Sequence, residues 1–414
     1  MPSLFNFQEQ AIEQLLQGKH FVISGTGSGK TAMALAWAEK KCEETGKKKV
    51  LIVTTASKAK TNDFQDEADI WAPKLKSQSS LSVISWHKLD KWLDGNWNDI
   101  SDYIVIYDEV QKGSAGVSSK MGRAFIGISH KTPDWSAFTA TPGDSWIKFY
   151  PYFTACNLVK NKTNFLDDYA TIRTYKGYPE IIGWRNEGKL KHMWAKISYA
   201  PDTSSVMAEL PAQTHHVVKF KKPANYNRTV NERKKADGEF LDTSGALCAE
   251  LRRLCFTKDK QEWVKDFVEG LESGCVFFYN FTKTGDMLEE IIKKAIPKGA
   301  RVWRIDGKHH EIPKANTIGP HDMVICQWQS GSEALNLQFL HYWVSVEAHY
   351  SYSTSIQARG RIRRIGQKWP QTYWYLKTEG TIEDDIYDAL KNKSEFSEKN
   401  WCISKGLIKE EDAI

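Results

Sequence analysis

The sequence predicts an α/β protein of two domains, each a mostly parallel sheet with helices on both faces. Three observations predict it. The chain has 414 residues, and domains run to roughly 100–200 residues each. Short apolar runs alternate with helix-forming stretches before about residue 150, and the same rhythm returns after about residue 270. Alternation of that kind builds parallel sheets covered by helices. A glycine-rich turn also joins the first apolar run to the first helical stretch.

In the first half the candidate strands are His20–Ser24, Val50–Thr55, Leu81–Trp86, Tyr103–Asp108 and Ser136–Thr141. The run after Lys30, TAMALAWAEKKCEETG, is rich in helix formers and stops at Gly46. In the second half the candidates are Cys275–Asn280, Arg301–Asp306, Met323–Trp328, Trp343–Ala348 and Thr372–Lys377. Met287, Leu288, Ile291, Ile292 and Ala295 share one helix face, which Pro297 and Gly299 end. Thr381, with Asp384 three residues on, reads as a helix N-cap. The stretch from about 150 to 215 is aromatic and irregular, the end of the first domain plus a linker. Residues 215–270 read as helical and basic. The expected boundaries are therefore 1–200, 201–270 (linker and helical start of the second domain) and 271–414.

Composition narrows the classes. Hydrophobic residues are 41% and charged residues 26%, which permits a packed core and excludes wholesale disorder. No run approaches the ~18 apolar residues of a membrane span. The start, MPSLFNFQEQ, lacks a basic-then-apolar leader, so the expected location is the cytoplasm. The net charge of +6 is too mild to establish a polyanionic partner by itself. Its distribution says more: Lys219–Lys235 holds seven cations and one acid, and Gln357–Lys368 five cations and no acid. Seven scattered cysteines with no CxxC pair support neither a zinc site nor a disulfide framework.

Three segments carry chemistry. Ser24-Gly-Thr-Gly-Ser-Gly-Lys-Thr31 lies between a strand and a helix, the setting a phosphate-binding loop requires. Gly25, Thr26, Gly27, Ser28 and Gly29 would turn backbone N–H groups toward phosphate oxygens at a helix N-terminus. Lys30 would reach the β- and γ-phosphates of ATP, and Thr31 would hold Mg²⁺. The strict pattern has glycine where Ser24 stands. The second segment, Tyr103–Glu109, is an apolar strand ending in two carboxylates. Such an end opens on the ligand crevice of a parallel sheet. Asp108 would join the Mg²⁺ shell and Glu109 would activate the attacking water; the plainer alternative is a strand leaving for a loop. The third is Gln357-Ala-Arg-Gly-Arg-Ile-Arg-Arg364, whose arginines are either a solvated basic face or a set of phosphate ligands. A solvated face usually interleaves acids, and none is present.

Together these residues resemble superfamily-two helicases, and within them the Swi/Snf-like DNA translocases, especially compact phage-encoded members. The resemblance covers nearly the whole chain. Phe7-Gln8 is similar to the motif whose glutamine reads adenine, SGTGSGKT to motif I, Val53-Thr-Thr55 to motif Ia, and Asp108-Glu-Val-Gln111 to motif II. Thr139-Ala-Thr-Pro142 is similar to motif III, Val276–Asn280 to motif IV, Ser330–Leu337 to motif V, and Gln357–Arg364 to motif VI. Arg364-Ile-Gly-Gln367 and Gly380-Thr-Ile-Glu383 resemble the Swi/Snf-type sequences rather than the RNA-unwinding ones. The resemblance implies two RecA-like domains with an ATP cleft between them. It implies ATP and Mg²⁺ as cofactors, Gln8 on the base, Thr139 and Thr141 as coupling residues, Gln357 as γ-phosphate sensor, and Arg361 and Arg364 as arginine fingers. The implied function is ATP-driven movement along DNA, single-stranded or duplex, in phage replication or recombination. Phage replication proteins are implied partners, the location is then the host cytoplasm, and a monomer is favoured, with no membrane involved. Nucleic-acid contacts are implied at Thr55, Trp86, His87, Asn280, Ser330 and Gly331. The chain departs from the family at Gln111, where many relatives carry histidine, in its TATP, and at Ser332, Glu333 and Ala334.

Weaker signals have two readings each. Among the 16 tryptophans, Trp86 or Trp328 would stack bases or pack the core. The pairs His215-His216 and His309-His310 do not read as metal sites, because adjacent strand residues point to opposite faces. The basic stretch 219–235 either touches phosphates or is a solvated helix. Two functions stand beside DNA translocation: a non-translocating, DNA-binding ATP switch that recruits replication partners, and an RNA helicase. A nuclease-type carboxylate cluster is not apparent.

Overall fold

A computed structural model of the chain describes residues 3–115, 119–175, 178–309, 311–331 and 335–408. The chain divides into two units, Met1–Met207 and Ala208–Ile414. In the first unit the strands are β1 (Phe21–Ile23), β2 (Lys49–Thr54), β3 (Ser80–Ser85), β4 (Tyr103–Asp108), β5 (Trp135–Thr139), β6 (Ala170–Tyr175), β7 (Tyr178–Trp184) and β8 (Ser198–Tyr199). In the second they are β9 (Gln213–Phe220), β10 (Cys275–Tyr279), β11 (Val302–Ile305), β12 (Met323–Gln327), β13 (Tyr342–Ser345) and β14 (Gln371–Thr378).

The first sheet runs β3-β2-β4-β5-β1-β8 and the second β11-β12-β10-β13-β14-β9. Every neighbouring pair in both sheets is parallel. Side chains alternate across a strand, so each sheet needs two apolar layers. In the first unit Leu51, Val53, Val105 and Tyr107 join one layer with Phe125 and Trp135. Val50, Ile52, Ile104 and Ile106 join the other, under the helices α1 (Asn6–Leu16) and α2 (Lys30–Thr45). In the second unit Cys275, Phe277 and Tyr279 face one layer, and Val276 and Phe278 the other. The expected α/β architecture of two parallel sheets covered on both faces is present.

All ten expected strands form, with ends displaced by at most three residues. Three features were not anticipated. The antiparallel hairpin β6–β7 and the two-residue β8 occupy the aromatic stretch read as irregular, the end of the first domain; β8 pairs with β1 beside the glycine-rich turn. The helical reading of 215–270 fails at its start, where β9 pairs with β14 over eight residues. There His215 stacks on Tyr373 and His216 on Trp374, on opposite faces, as strand geometry requires. The cations of 219–235 are partly matched locally, Lys219 with Glu379, Arg228 with Glu232 and Lys235 with Glu239. No helix among the described residues is long and apolar enough to cross a membrane.

The second unit closes around a buried ion pair. Lys260 Nζ lies 2.8 Å from Glu383 Oε2, with side chains 0% and 1% exposed. The ammonium also donates to Leu376 O, and Glu383 accepts the Thr378 N–H at 2.7 Å. Thr381 caps the helix Ile382–Lys391 by accepting from the Glu383 N–H. Removing one member of such a pair leaves a charge without water or partner. Lys260→Met should therefore destabilise the second unit by about 3–5 kcal/mol. Lys260→Met combined with Glu383→Gln should recover most of the loss. Urea denaturation of the three proteins measures both effects.

Candidate active site

The strands β1, β5 and β4 are neighbours, so their C-terminal ends, Ile23, Thr139 and Asp108, lie side by side. The phosphate-type loop leaves the first of these ends. Gly27 and Gly29 both have φ of +79°, a region glycine enters without strain. Gly29 is the N-cap of α2, so Lys30 and Thr31 open a sixteen-residue helix. The Ser24 N–H donates to Thr139 O. Its hydroxyl donates to Ser28 Oγ at 2.7 Å, and Ser28 in turn donates to Gly25 O. Serine in place of glycine thus adds a cross-brace inside the loop. Lys30 Nζ donates to Ser24 O and Gly25 O at 3.0 and 2.9 Å, holding its charge within the curl of the loop.

Gln8, the residue expected on the base, packs against the loop. It is buried, its Nε2 donates to Ser28 O at 2.9 Å, and its Oε1 accepts the Phe5 N–H. It clamps α1 to the loop. A Cβ on Gly29 would lie 2.4 Å from Gln8 Nε2, so this glycine is required by contact as well as by φ.

At the end of β4 the backbone turns sharply. Glu109 has φ of +52°, a left-handed conformation that costs a side-chain-bearing residue about 1–2 kcal/mol. Its Oε2 accepts from Gln111 Nε2 at 2.6 Å. Gln111 Oε1 accepts from Thr139 Oγ1 at 2.7 Å, and Thr139 Oγ1 accepts the Thr141 N–H at 2.9 Å. Glu109 and the two expected coupling threonines are therefore one hydrogen-bonded chain, with Gln111 as the link. Glutamine can both donate and accept, which this bridge uses.

Asp108 is buried. Its Oδ2 accepts from Thr54 Oγ1 at 2.7 Å and from Lys58 Nζ at 2.9 Å. Burial alone would raise its carboxyl; the Lys58 charge, the two hydrogen bonds and the Lys30 charge outweigh it and hold the group below the ordinary carboxylate range. An ionised carboxylate beside the Thr31 hydroxyl's loop is a donor set of the hard-oxygen kind that Mg²⁺ takes. Thr54 and Lys58 were not singled out from the sequence; the KAK following the strand end at Thr55 was the available signal.

The expected nucleic-acid contacts divide. His87 is exposed just past β3. Trp86 is 2% exposed, stacks on Tyr107 and donates from Nε1 to Asp108 O, and Trp328, also 2% exposed, donates to Glu347 O. Both pack the interior, and neither presents a ring to a base. Thr55 is also buried, its hydroxyl paired with Ser57 Oγ. In the second unit Asn280 donates from Nδ2 to Ala348 O, and its N–H goes to Glu347 Oε2 at 2.6 Å. Thr284 Oγ1 donates to the other oxygen of Glu347 at 2.7 Å, so this buried acid anchors the start of the helix Thr282–Ala295. Asn280 is thus structural at its side chain. Ser330 and Gly331 end a short helix, Trp328–Gly331. Ser332, Glu333, Ala334 and His310 lie outside the described residues.

The arginine-rich segment is helical only to Arg359 and then turns. Half-buried Gln357 lies on the helix. Arg361 is buried with Nη1 directed to Leu335 O at 3.4 Å, and half-buried Arg364 donates from Nε to Gly360 O. Gln367 fixes the turn by donating to Leu340 O and Ile362 O while accepting the N–H groups of Lys368 and Trp369.

Comparison with known proteins adds the following. A family model described as DEAD/DEAH box helicase matches residues 5–91, the span from Gln8 through the loop to β3. DNA repair and recombination protein RAD54B of Mus musculus is 30% identical over 125 residues, 28% of this chain and 14% of that protein. DNA repair protein RAD5 of Cryptococcus neoformans is 25% identical over 181 residues, 42% of this chain and 14% of that protein. The matched region is thus about one-seventh of the length of each relative. Among solved structures, the Sulfolobus solfataricus SWI2/SNF2 ATPase core in complex with dsDNA aligns over 95% of this chain and 91% of that one, at 15% identity and a TM-score of 0.44.

Two outcomes follow from this geometry. Gly29→Ala should displace Gln8 and weaken ATP binding about tenfold, or about 1.4 kcal/mol, as read by titration with a fluorescent ATP analogue. Because the folded Asp108 pKa lies below the unfolded value of about 3.9, Asp108 stabilises the fold at all higher pH and loses that contribution as pH falls from this value through the lower folded one. Asp108→Asn should be less stable at neutral pH but show a shallower acid limb in unfolding followed by circular dichroism.

Proposed function

We propose that this chain is a superfamily-two helicase of the Swi/Snf-like kind, a DNA-stimulated ATPase that couples hydrolysis to movement along DNA. The observation that carries the reading is the phosphate-type loop with Lys30 and Thr31 at the end of β1, at the same sheet edge as Asp108 and Glu109 at the end of β4, with only β5 between them. The likeness to repair and recombination proteins favours the recombination side of the expected setting over replication.

In this reading the loop N–H groups and Lys30 bind the ATP phosphates, and Lys30 exchanges its carbonyl partners for phosphate oxygens. Thr31 and Asp108 hold Mg²⁺, which when bound offsets charge on the phosphates. Glu109 orients the attacking water and takes its proton. Its bond to Gln111 fixes the carboxylate, and Gln111 reports the state of that carboxylate to Thr139 and Thr141. Gln357, Arg361 and Arg364 supply charge and hydrogen bonds to the γ-phosphate. Phosphoryl transfer needs little covalent work from a protein, so positioning and charge stabilisation dominate the rate. Backbone-directed binding makes the DNA grip sequence-tolerant and salt-sensitive.

Lys30→Ala should abolish ATPase activity and ATP binding together. Arg364→Ala should lower hydrolysis by about 10³-fold or more while ATP binding persists. Wild-type turnover by Arg364→Ala overturns its assignment. Comparing stimulation by duplex DNA, single-stranded DNA and RNA, then assaying triplex displacement and fork unwinding, separates the translocase from the switch and the RNA helicase. Triplex displacement without unwinding is the result expected here.

A further inference from the structure

Lys58 is a charged residue at the site that the mechanism above does not use. It sits on the single turn Lys58–Lys60 that follows β2, and the turn is built by Ala59 N–H to Thr55 O. Its ammonium lies 2.9 Å from Asp108 Oδ2 and 5.4 Å from the Phe64 ring. The two side chains differ in freedom: that of Asp108 is 7% exposed, that of Lys58 21%. Asp108 is also fixed through the fully buried Thr54, whereas Lys58 hangs on a flexible four-carbon stem. Lys60, two residues on, is exposed, so the turn presents a second cation to solvent.

We propose that Lys58 is an exchangeable counter-ion: it neutralises Asp108 until Mg²⁺·ATP is loaded, then leaves to grip a DNA backbone phosphate together with Lys60. The inference rests on the reading of Asp108 as a Mg²⁺ residue. Charge must balance at a buried group. Asp108 needs one cation, and a second beside it is repelled in a medium of low dielectric. Lys58 therefore cannot keep its place once the metal arrives. It is released at the end of the strand where the backbone contact of this family was expected, beside a lysine already facing solvent. The exchange links two ligands through one side chain. Metal–nucleotide loading frees a DNA contact, and DNA, by holding Lys58 away, favours loading by the same factor.

The test uses the full chain and a fluorescent ATP analogue titrated over Mg²⁺ concentration without DNA. Lys58→Met should lower the Mg²⁺ midpoint about tenfold, whereas Lys58→Arg should stay near wild type. With Mg²⁺ and a non-hydrolysable ATP analogue, duplex DNA binding measured by fluorescence anisotropy should weaken about five- to tenfold in Lys58→Met. Its salt slope should fall by about one. Without nucleotide the variant and wild type should bind DNA alike. An unshifted or raised Mg²⁺ midpoint, or weaker ATP binding with unchanged DNA binding, overturns the proposal; the second result would mark Lys58 as an ATP ligand. Amine footprinting of the wild-type chain by mass spectrometry avoids any folding defect in the variant. Lys58 labelling should rise on adding Mg²⁺ and nucleotide and fall again on adding duplex DNA; labelling indifferent to Mg²⁺ and nucleotide overturns the exchange. Failure of the wild type to bind nucleotide at all would sink the broader functional reading, whereas normal binding with an unshifted midpoint sinks only the role of Lys58.

Discussion

A carboxylate at the end of a strand covered on both faces must be held by the protein itself, and the first unit is arranged around that requirement. Asp108 ends β4, a strand buried along its whole length. Thr54 reaches it from the adjacent strand β2, Lys58 from the turn after β2, and Trp86 holds its carbonyl from the turn after β3. Three neighbouring strand ends are thereby pinned to one residue. Those contacts fix the strand end from which Glu109 emerges. Losing the charge at 108 would loosen all three strand ends.

The second unit applies the same rule. Glu347 follows β13, fully buried, and satisfies itself on the N–H groups of Asn280 and Phe281 and on Thr284. Burial pushes its carboxyl upward despite those bonds. Asp322, before β12, accepts from Gly319 N–H, Arg301 N–H and Trp303 Nε1. Buried acids that collect backbone and side-chain donors fix the loops at both ends of the sheet. The arginine-bearing turn is fixed in part by an amide, that of Gln367, which donates to Leu340 O and Ile362 O.

Much of this was legible in the residues. Continuous apolar runs such as Tyr103–Asp108 and Cys275–Tyr279 become strands because only a sheet buried on both faces accommodates them. The loop was legible because glycine at 27 and 29 answers a backbone demand that no other residue meets without strain. What stayed hidden depends on contacts distant in sequence. β9 carries His215, His216 and Val217 on an exposed edge, so it has no apolar signature and exists because β14 lies beside it. Trp86 reads as a base-stacking ring at a strand end; only packing against Tyr107 and Phe125 reveals it as core. Gln8 shows a polar amide in the sequence, but its partners are a loop carbonyl and a backbone N–H that the fold brings to it. Lys58 is one lysine among many until the neighbour of Asp108 is known.

The left-handed backbone of Glu109 has an evolutionary consequence. Asparagine or glycine at this position would relax the chain, and each would discard the carboxylate. Selection for thermal endurance alone would drift toward those residues and yield a hardier protein without the acid. A strained acid there sets backbone ease against the carboxylate, and a library screened only for heat resistance should be sequenced first at this codon.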